Sequence, residues 1–282
     1  MTPLVAQPVG SPAARPFLKW AGGKRQLLPE LRKHVPSSFR KYVEPFVGGG
    51  AFFFDLQPRE AILGDVNSAL ISAYMGVRNL VEGVIRHLER HARLHSKEHY
   101  LETRKLLVVN GQPVGEVSNA AARTIYVNKT CFNGLWRVNS KGGFNVPMGD
   151  YANPTICDAP GLRAASRALQ HTTLLCQDWR KTARLVERGD FVYFDPPYAP
   201  VSKTANFVGY ASGGFLWIDQ VKLMECALQL KAGGAYVLLT NADVPEVRDL
   251  YKRGFEMRRV DANRAINSAG GKRGAVGELI IW

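Results

Sequence analysis

Asp195-Pro196-Pro197-Tyr198 follows directly on the apolar run Phe191-Val192-Tyr193-Phe194. Such a run predicts a buried parallel strand, which delivers a carboxylate, two prolines and an aromatic ring to its carboxyl end, where open α/β sheets hold their chemistry. These residue types suit methylation of an amino group on a flat ring. The lone pair of that amine is delocalised into the ring, and hydrogen bonds from its two N–H groups to fixed acceptors would localise it. Asp195 offers one acceptor. Neither Pro196 nor Pro197 carries an N–H, and both restrict the backbone around them. The stretch therefore presents carbonyls with little competing donation, and the Pro196 carbonyl is the candidate second acceptor. Tyr198 can lie flat against a base drawn out of its stack. The plainer alternative is a strand ending in a proline-stiffened turn with an Asp cap and a core Tyr.

A second group of residues has the spacing of a nucleoside-binding site. Phe46-x-Gly48-x-Gly50 follows an apolar run and lets a ligand approach the backbone, with Glu44 beside it to accept from a ligand ammonium. Asp65 stands at the end of the next apolar run, where a ribose-binding carboxylate belongs. A dinucleotide fingerprint would place a third glycine after this turn, but Ala51-Phe52-Phe53-Phe54 stands there. That favours S-adenosylmethionine, which brings no pyrophosphate to cradle. Lys24 is not the lysine of a phosphate loop, because Leu18 occupies the position of that motif's first glycine.

Positioning these side chains takes alternating strands and helices. Residues 19–24 form a short element ahead of a helix at about 26–34. A strand at 42–46 runs into the glycine turn and a helix starting at Ala51. The strand at 60–64 ends at Asp65, and a helix follows from about Ser68. Further strands are expected at 173–176, 191–194, 235–240 and 278–282, the first ending at Asp178. Roughly a hundred residues separate Met75 from Thr173, more than a connection in a compact α/β domain needs, so an inserted module is expected there.

The insertion divides into a helical stretch, 80–109, rich in His and Arg, and a stretch, 129–151, full of Asn, Gly and aromatics. His87, His91, His95 and His99 recur every fourth residue, a spacing that could offer metal ligands on a helix. No Cys or carboxylate set completes such a site, and the stripe drifts around the helix by about 40° per step. A solvated or DNA-facing helix is the expectation, with no metal. Residues 128–147 suggest a β-hairpin carrying Phe132, Asn133, Leu135, Arg137, Asn139, Asn145 and Pro147. Arg, Asn and exposed aromatics are the types that read base edges and wedge between base steps; a glycine-rich surface hairpin with core aromatics is the alternative.

The chain has 282 residues, 46% hydrophobic, enough for a full core. Its formal charge is +13 with only 22% of residues charged, a sign imbalance that favours a polyanionic partner. Cys131, Cys157, Cys176 and Cys226 lie far apart and read as reduced thiols. With no apolar targeting or spanning segment apparent, a cytoplasmic protein with a loose N-terminal tail and no membrane association is expected.

Taken together, residues 19–24, Glu44 to Gly50, Asp65, Phe132 to Pro147 and Asp195 to Tyr198 closely resemble, in order, the Dam-type DNA adenine-N6 methyltransferases, including the DpnM-like branch that accompanies restriction enzymes. The resemblance covers nearly the whole chain after the tail. It implies a mixed seven-stranded Rossmann-like methyltransferase sheet, with a tail at 1–15, a catalytic domain at 16–75 and 169–282, and a target recognition domain at 76–168. It further implies transfer of methyl from S-adenosylmethionine to N6 of a flipped adenine in double-stranded DNA, with GATC the expected target. Cofactor contacts carry over to Trp20, Lys24, Asp65 and Asp195, with Phe46, Gly48 and Gly50 lining the methionine end and Asp178 near the cofactor adenine. Lys19, Phe132, Asn133, Leu135, Arg137 and Pro147 match positions that touch or intercalate at the DNA site. Two departures are Phe132, where some relatives have Tyr, and Asp150, where Arg is usual. No obligate protein partner is implied, though a cognate restriction endonuclease is a candidate. Methylation of RNA or of a protein glutamine, and a non-catalytic DNA-binding role, are the competing readings.

Overall fold

A computed structural model describes residues 13–20, 22–109, 112–139, 142–198, 215–262 and 276–282. Most of the expected tail therefore lies outside the described residues, as do Ala21 and Lys141 of the quoted motifs.

The chain enters through a short helix, α1 (Leu28–Leu31), continued by one 3-10 turn, where a single longer helix was expected. Strand β1 (Tyr42–Glu44) leads through the glycine turn into α2 (Ala51–Leu56), and β2 (Ala61–Asp65) leads into α3 (Ser68–Arg93). The insertion follows as α4 (Lys97–Lys105), a two-stranded ribbon of β3 (Val108–Val109) and β4 (Gln112–Pro113), and α5 (Val117–Thr130). The return to the sheet runs through α6 (Ala159–Leu169), β5 (Thr172–Cys176), α7 (Trp179–Ala183) and β6 (Phe191–Phe194). Finally come α8 (Trp217–Ala232), β7 (Tyr236–Ala242), α9 (Pro245–Tyr251), β8 (Met257–Ala262) and β9 (Val276–Ile281).

Seven strands form one mixed sheet in the order β5-β2-β1-β6-β7-β9-β8. The five from β5 to β7 are parallel; β9 runs antiparallel to both of its neighbours, β7 and β8. Strand order reverses between β1 and β6, and the crevice at such a switch point is where open α/β sheets bind ligands. Alternation along the central strands feeds two cores. Tyr42, Phe191 and Tyr193 face one side with Phe52, Tyr74 and Leu238, while Val43, Val192 and Phe194 face the other with Trp179, Leu223 and Leu279.

Helix α3 runs from the sheet into the insertion and breaks its helical geometry once, at Leu80 (φ −137°, ψ 36°). Just before this kink it meets α5 closely: a Cβ built on Gly76 would lie 2.4 Å from that of Ala121. The insertion thereby shares the first core, through Val84, Leu88, Ile125 and Tyr126.

Two expectations are corrected in the insertion. The four histidines do not lie on one solvated or DNA-facing helix: α3 stops at Arg93 and α4 begins at Lys97, and the rings of His91, His95 and His99 gather around Tyr126 between helices. His91 is buried, stacks on Tyr126 at 4.7 Å and is bonded through Nδ1 to His99 Nε2 at 2.9 Å, while His95 Nδ1 meets the Tyr126 hydroxyl at 3.0 Å. Residues 128–147 also do not make a regular hairpin. Asn128 and Lys129 lie in the last turn of α5, Phe132–Gly134 is a 3-10 turn, and the described part of the loop is tied by single bridges, Val138 with Phe144 and Cys131 with Met148.

Candidate active site and nucleic-acid face

Asp195 leaves β6 at the switch point with its side chain turned back over the sheet. Its Oδ1 accepts from the Lys24 ammonium at 2.9 Å and from Thr240 Oγ1 at 2.8 Å, and Thr240 is bonded in turn to the Tyr193 hydroxyl at 3.0 Å. Burial raises the Asp195 pKa, and Lys24 and Thr240 oppose that rise by stabilising the anion. With Oδ1 taken by two donors, Oδ2 is the oxygen through which an amine can be received.

Lys24 is buried and central. Besides Asp195 it donates to the Gly22 carbonyl at 2.7 Å, sits 4.7 Å from the centre of the Tyr198 ring, and lies 3.9 Å from Glu278 Oε2. Tyr198 donates its hydroxyl hydrogen to Glu278 Oε2 at 2.6 Å. The two prolines are held from α8: Gln220 donates to the Pro197 carbonyl at 3.0 Å, and Asn241 on β7 donates to Gln220 Oε1 at 2.9 Å. Gln220 and Asn241 are each only 1% exposed. Among the described residues no donor reaches the Pro196 carbonyl, the expected second acceptor.

The other half of the crevice is the turn after β1. Gly48 (φ 47°) and Gly50 (φ 65°) both need left-handed backbone. A Cβ on Gly48 would come within 2.9 Å of the Trp20 ring, and one on Gly50 within 2.6 Å of the Tyr74 hydroxyl. Tyr74 donates to the Gly48 carbonyl at 3.1 Å. Asp65 closes the turn, accepting from Gly48 N at 3.1 Å and Asn67 N at 2.9 Å; burial raises its pKa against these bonds. Glu44 lies beneath, 2% exposed, accepting from the Tyr42 hydroxyl at 3.0 Å. Burial, with Asp195 and Asp65 nearby, drives its pKa well up. A buried carboxyl in that state fits a cationic ligand group, whose charge would restore the carboxylate.

Phe46 stacks on Trp179 at 5.8 Å with Phe194 and Phe215 at its edges, an aromatic wall beside the turn. Asp178 caps α7, accepting from Arg180 N at 2.9 Å and from its guanidinium at 3.0 Å. Next to Asp65, Val66 stands 78% exposed, an apolar side chain at the rim of the same crevice.

Lys19 and Trp20 join this site to the insertion. Buried Asn128 clamps the Lys19 backbone from both sides, accepting from its N–H at 2.8 Å and donating to its carbonyl at 2.7 Å, and donates to the Gly134 carbonyl at 3.3 Å. Trp20 stacks on Trp136 at 5.7 Å. The Lys19 ammonium lies over the Tyr151 ring at 4.4 Å. Around this clamp Phe132 is 43% exposed, Asn133 takes left-handed backbone (φ 54°), Leu135 is half-buried, and Pro147 is exposed with its carbonyl accepting from Phe132 N at 2.9 Å. Exposed Arg137 donates from Nε to Asn145 Oδ1 at 2.8 Å, and Asn139 braces the loop by accepting from Gly143 N at 3.0 Å. Asp150 is exposed nearby in the chain.

Sequence reasoning passed over Thr240, Gln220, Asn241, Glu278 and Val66. None adjoins a motif that would have marked it. The available signal was polarity out of place: Thr240-Asn241 ends an apolar strand run, and Glu278 opens another. Among the described residues no group of three or more His, Cys, Asp or Glu side chains is placed to hold a metal, and no helix is long and apolar enough to cross a membrane.

Comparison with known proteins bears on this geometry. The profile of the D12 class N6 adenine-specific DNA methyltransferases matches residues 20–266. A Type II methyltransferase of Lactococcus lactis subsp. cremoris is 41% identical over 271 residues, covering 95% of this chain and 94% of that protein. Another from Methanocaldococcus jannaschii is 39% identical over 285 residues, covering 95% and 98%. A DNA adenine methylase of Vibrio cholerae is 37% identical over 272 residues, covering 94% and 95%.

Proposed function

The chain belongs to the D12 class of N6 adenine-specific DNA methyltransferases, and we propose that it modifies the adenine of GATC after drawing that base out of the duplex. Its fold, its use of S-adenosylmethionine and its action on DNA adenine follow from that membership; the target sequence and residue roles are the proposal.

The carrying observation is the occupancy of Asp195: Lys24 and Thr240 fill Oδ1. We assign Oδ2 and the Pro196 carbonyl to the two N6 protons of adenine, which concentrates the nitrogen lone pair. Tyr198 stacks on the base, and Gln220 fixes the loop through the Pro197 carbonyl. Lys24 keeps Asp195 ionised, so an acceptor rather than a carboxylic acid faces the amine. Glu44 is assigned to the cofactor ammonium, Asp65 to the ribose, and the turn at Gly48 and Gly50 with Phe46 and Trp20 to its methionine side; Asp178 and exposed Val66 flank its adenine. Bound there, S-adenosylmethionine supplies a methyl carbon already activated by its sulfonium. Proximity and alignment between the two half-sites then account for much of the rate.

Residues 76–168 are assigned to target recognition and 16–75 with 169–282 to catalysis. Lys19, Phe132, Asn133, Leu135, Arg137, Asn139, Asn145 and Pro147 form the recognition face, supported by their position around the Asn128 clamp. A paired restriction endonuclease would fit a modification role. Sequencing modified bases in DNA from an expressing host otherwise free of adenine methylation tests the reading. N6-methyladenine confined to GATC is expected; methylation in another context would overturn the target, and none would overturn the reading itself.

A further inference from the structure

Glu278 is a buried carboxylate for which the reading above has no use. It is the third residue of β9, and because β9 runs antiparallel to β7 with Glu278 opposite Ala242, the amino-terminal half of β9 lies at the same edge of the sheet as the carboxyl ends of the parallel strands. Its side chain is 8% exposed. Burying a charge is costly unless it is paired and hydrogen-bonded, and an apolar residue beside a Phe in place of Tyr198 would avoid that cost. Glu278 instead meets two groups of the site: the Tyr198 hydroxyl at 2.6 Å and the Lys24 ammonium at 3.9 Å. A bond between a neutral hydroxyl and a carboxylate is among the stronger hydrogen bonds.

The consequence is geometric. Tyr198 is held at its hydroxyl edge by Glu278, and Lys24 covers one face of its ring. An incoming base must meet the opposite face, and the angle of that face is set by where the phenol oxygen is tied. The same carboxylate shares Lys24 with Asp195, so the tilt of the stacking ring and the orientation of the acceptor are fixed by one side chain.

We propose that Glu278 is a positioning residue for methyl transfer, acting through the Tyr198 hydroxyl and Lys24 without touching either substrate. The proposal rests on the roles assigned to Asp195 and Tyr198 above. Single-turnover methylation of duplex DNA by Glu278→Ala, Glu278→Gln, Tyr198→Phe and the Tyr198→Phe/Glu278→Ala double variant tests it, with cofactor and duplex affinities measured alongside.

Glu278→Ala should slow transfer by about a hundredfold, the scale of a small misplacement of reacting groups, with both affinities kept. Glu278→Gln retains an acceptor for the hydroxyl and should recover much of that loss. Its acid limb should move to lower pH, because the Glu278 charge raises the Asp195 pKa, a shift that a purely structural role would not produce. The double variant should be no slower than the slower single variant, since both remove one linkage. Wild-type rates in Glu278→Ala, or losses that multiply in the double variant, would overturn the proposal. If Glu278→Ala does not fold, the acid limb of Glu278→Gln decides it: a limb that stays in place would overturn the proposal. Failure of the wild-type protein to methylate duplex adenine would instead remove the parent reading.

Discussion

At the scale of single residues the site is governed by how carboxylates are kept charged in a crevice that disfavours charge. Burial raises the Asp195 pKa, and the first opposing influence is Lys24, 2.9 Å away. Removing that cation must raise the pKa further. In the role proposed for it Asp195 receives the amine as a carboxylate, so activity is present above its pKa and lost as pH falls through it. Lys24→Met should therefore move the acid limb of the pH–rate profile to higher pH, besides lowering the plateau. A profile reduced in height but unmoved would show that Lys24 does not set the charge of Asp195.

At the scale of elements, the contact between α3 and α5 carries the insertion on the sheet. Gly76 is a point of close approach, and a new methyl there would meet Ala121 Cβ, which cannot swing aside without its backbone. Gly76→Ala should cost about 1–3 kcal/mol by overfilling the interface, read as a lowered thermal midpoint; an unchanged midpoint would mean the two helices separate freely. This interface also shows where sequence reasoning stops. The central strands and the helix after Asp65 were legible because their apolar runs end in marked residues. Helix α5 was missed because it is buried around most of its circumference, with Ser118, Arg123, Thr124 and Asn128 inside, so no apolar stripe distinguishes one face. Strand β8 was missed because it is a sheet edge bearing Arg258 and Arg259, the kind of charge by which edges avoid pairing. Likewise Glu278 and Thr240 reach Asp195 only through the register of β7 and β9, a relation that no spacing within the sequence expresses.

At the scale of the whole molecule, two properties follow from how charge is distributed. The inward-facing histidines make the folded state sensitive to acid. His91 has its pKa lowered from 6.5 to about 4, first by burial and then by His99, His87, Arg123 and Arg90; His95 and Tyr126 complete its surroundings. The unfolded chain therefore binds more protons between those values, so this contribution to stability is complete above about 6.5 and lost as pH falls toward 4. His91→Phe, which keeps the stack on Tyr126, should flatten thermal stability across that window; an unchanged pH dependence would place the acid sensitivity elsewhere. The net charge of +13 provides attraction to DNA of any sequence, leaving discrimination to a few oriented groups. We assign this role to Arg137: Asn145 accepts from its Nε at 2.8 Å through Oδ1 and from Nη2 at 3.4 Å through its carbonyl, which fixes the guanidinium plane and leaves the outer hydrogens of Nη1 and Nη2 to meet a guanine. A bidentate contact to guanine is worth about 1–3 kcal/mol of discrimination, whereas a phosphate contact weakens every sequence alike and reduces the salt slope by about one. Arg137→Ala should relax the choice of base at one position of the target, and Asn145→Ala should do so in part, because it frees the plane without removing the donors. Rates on GATC duplexes against each single-base variant, measured at several salt concentrations, separate the two roles. If every rate falls together and the cognate ratio holds, Arg137 neutralises backbone and base reading must pass to Asn133, Asn139 or Lys19.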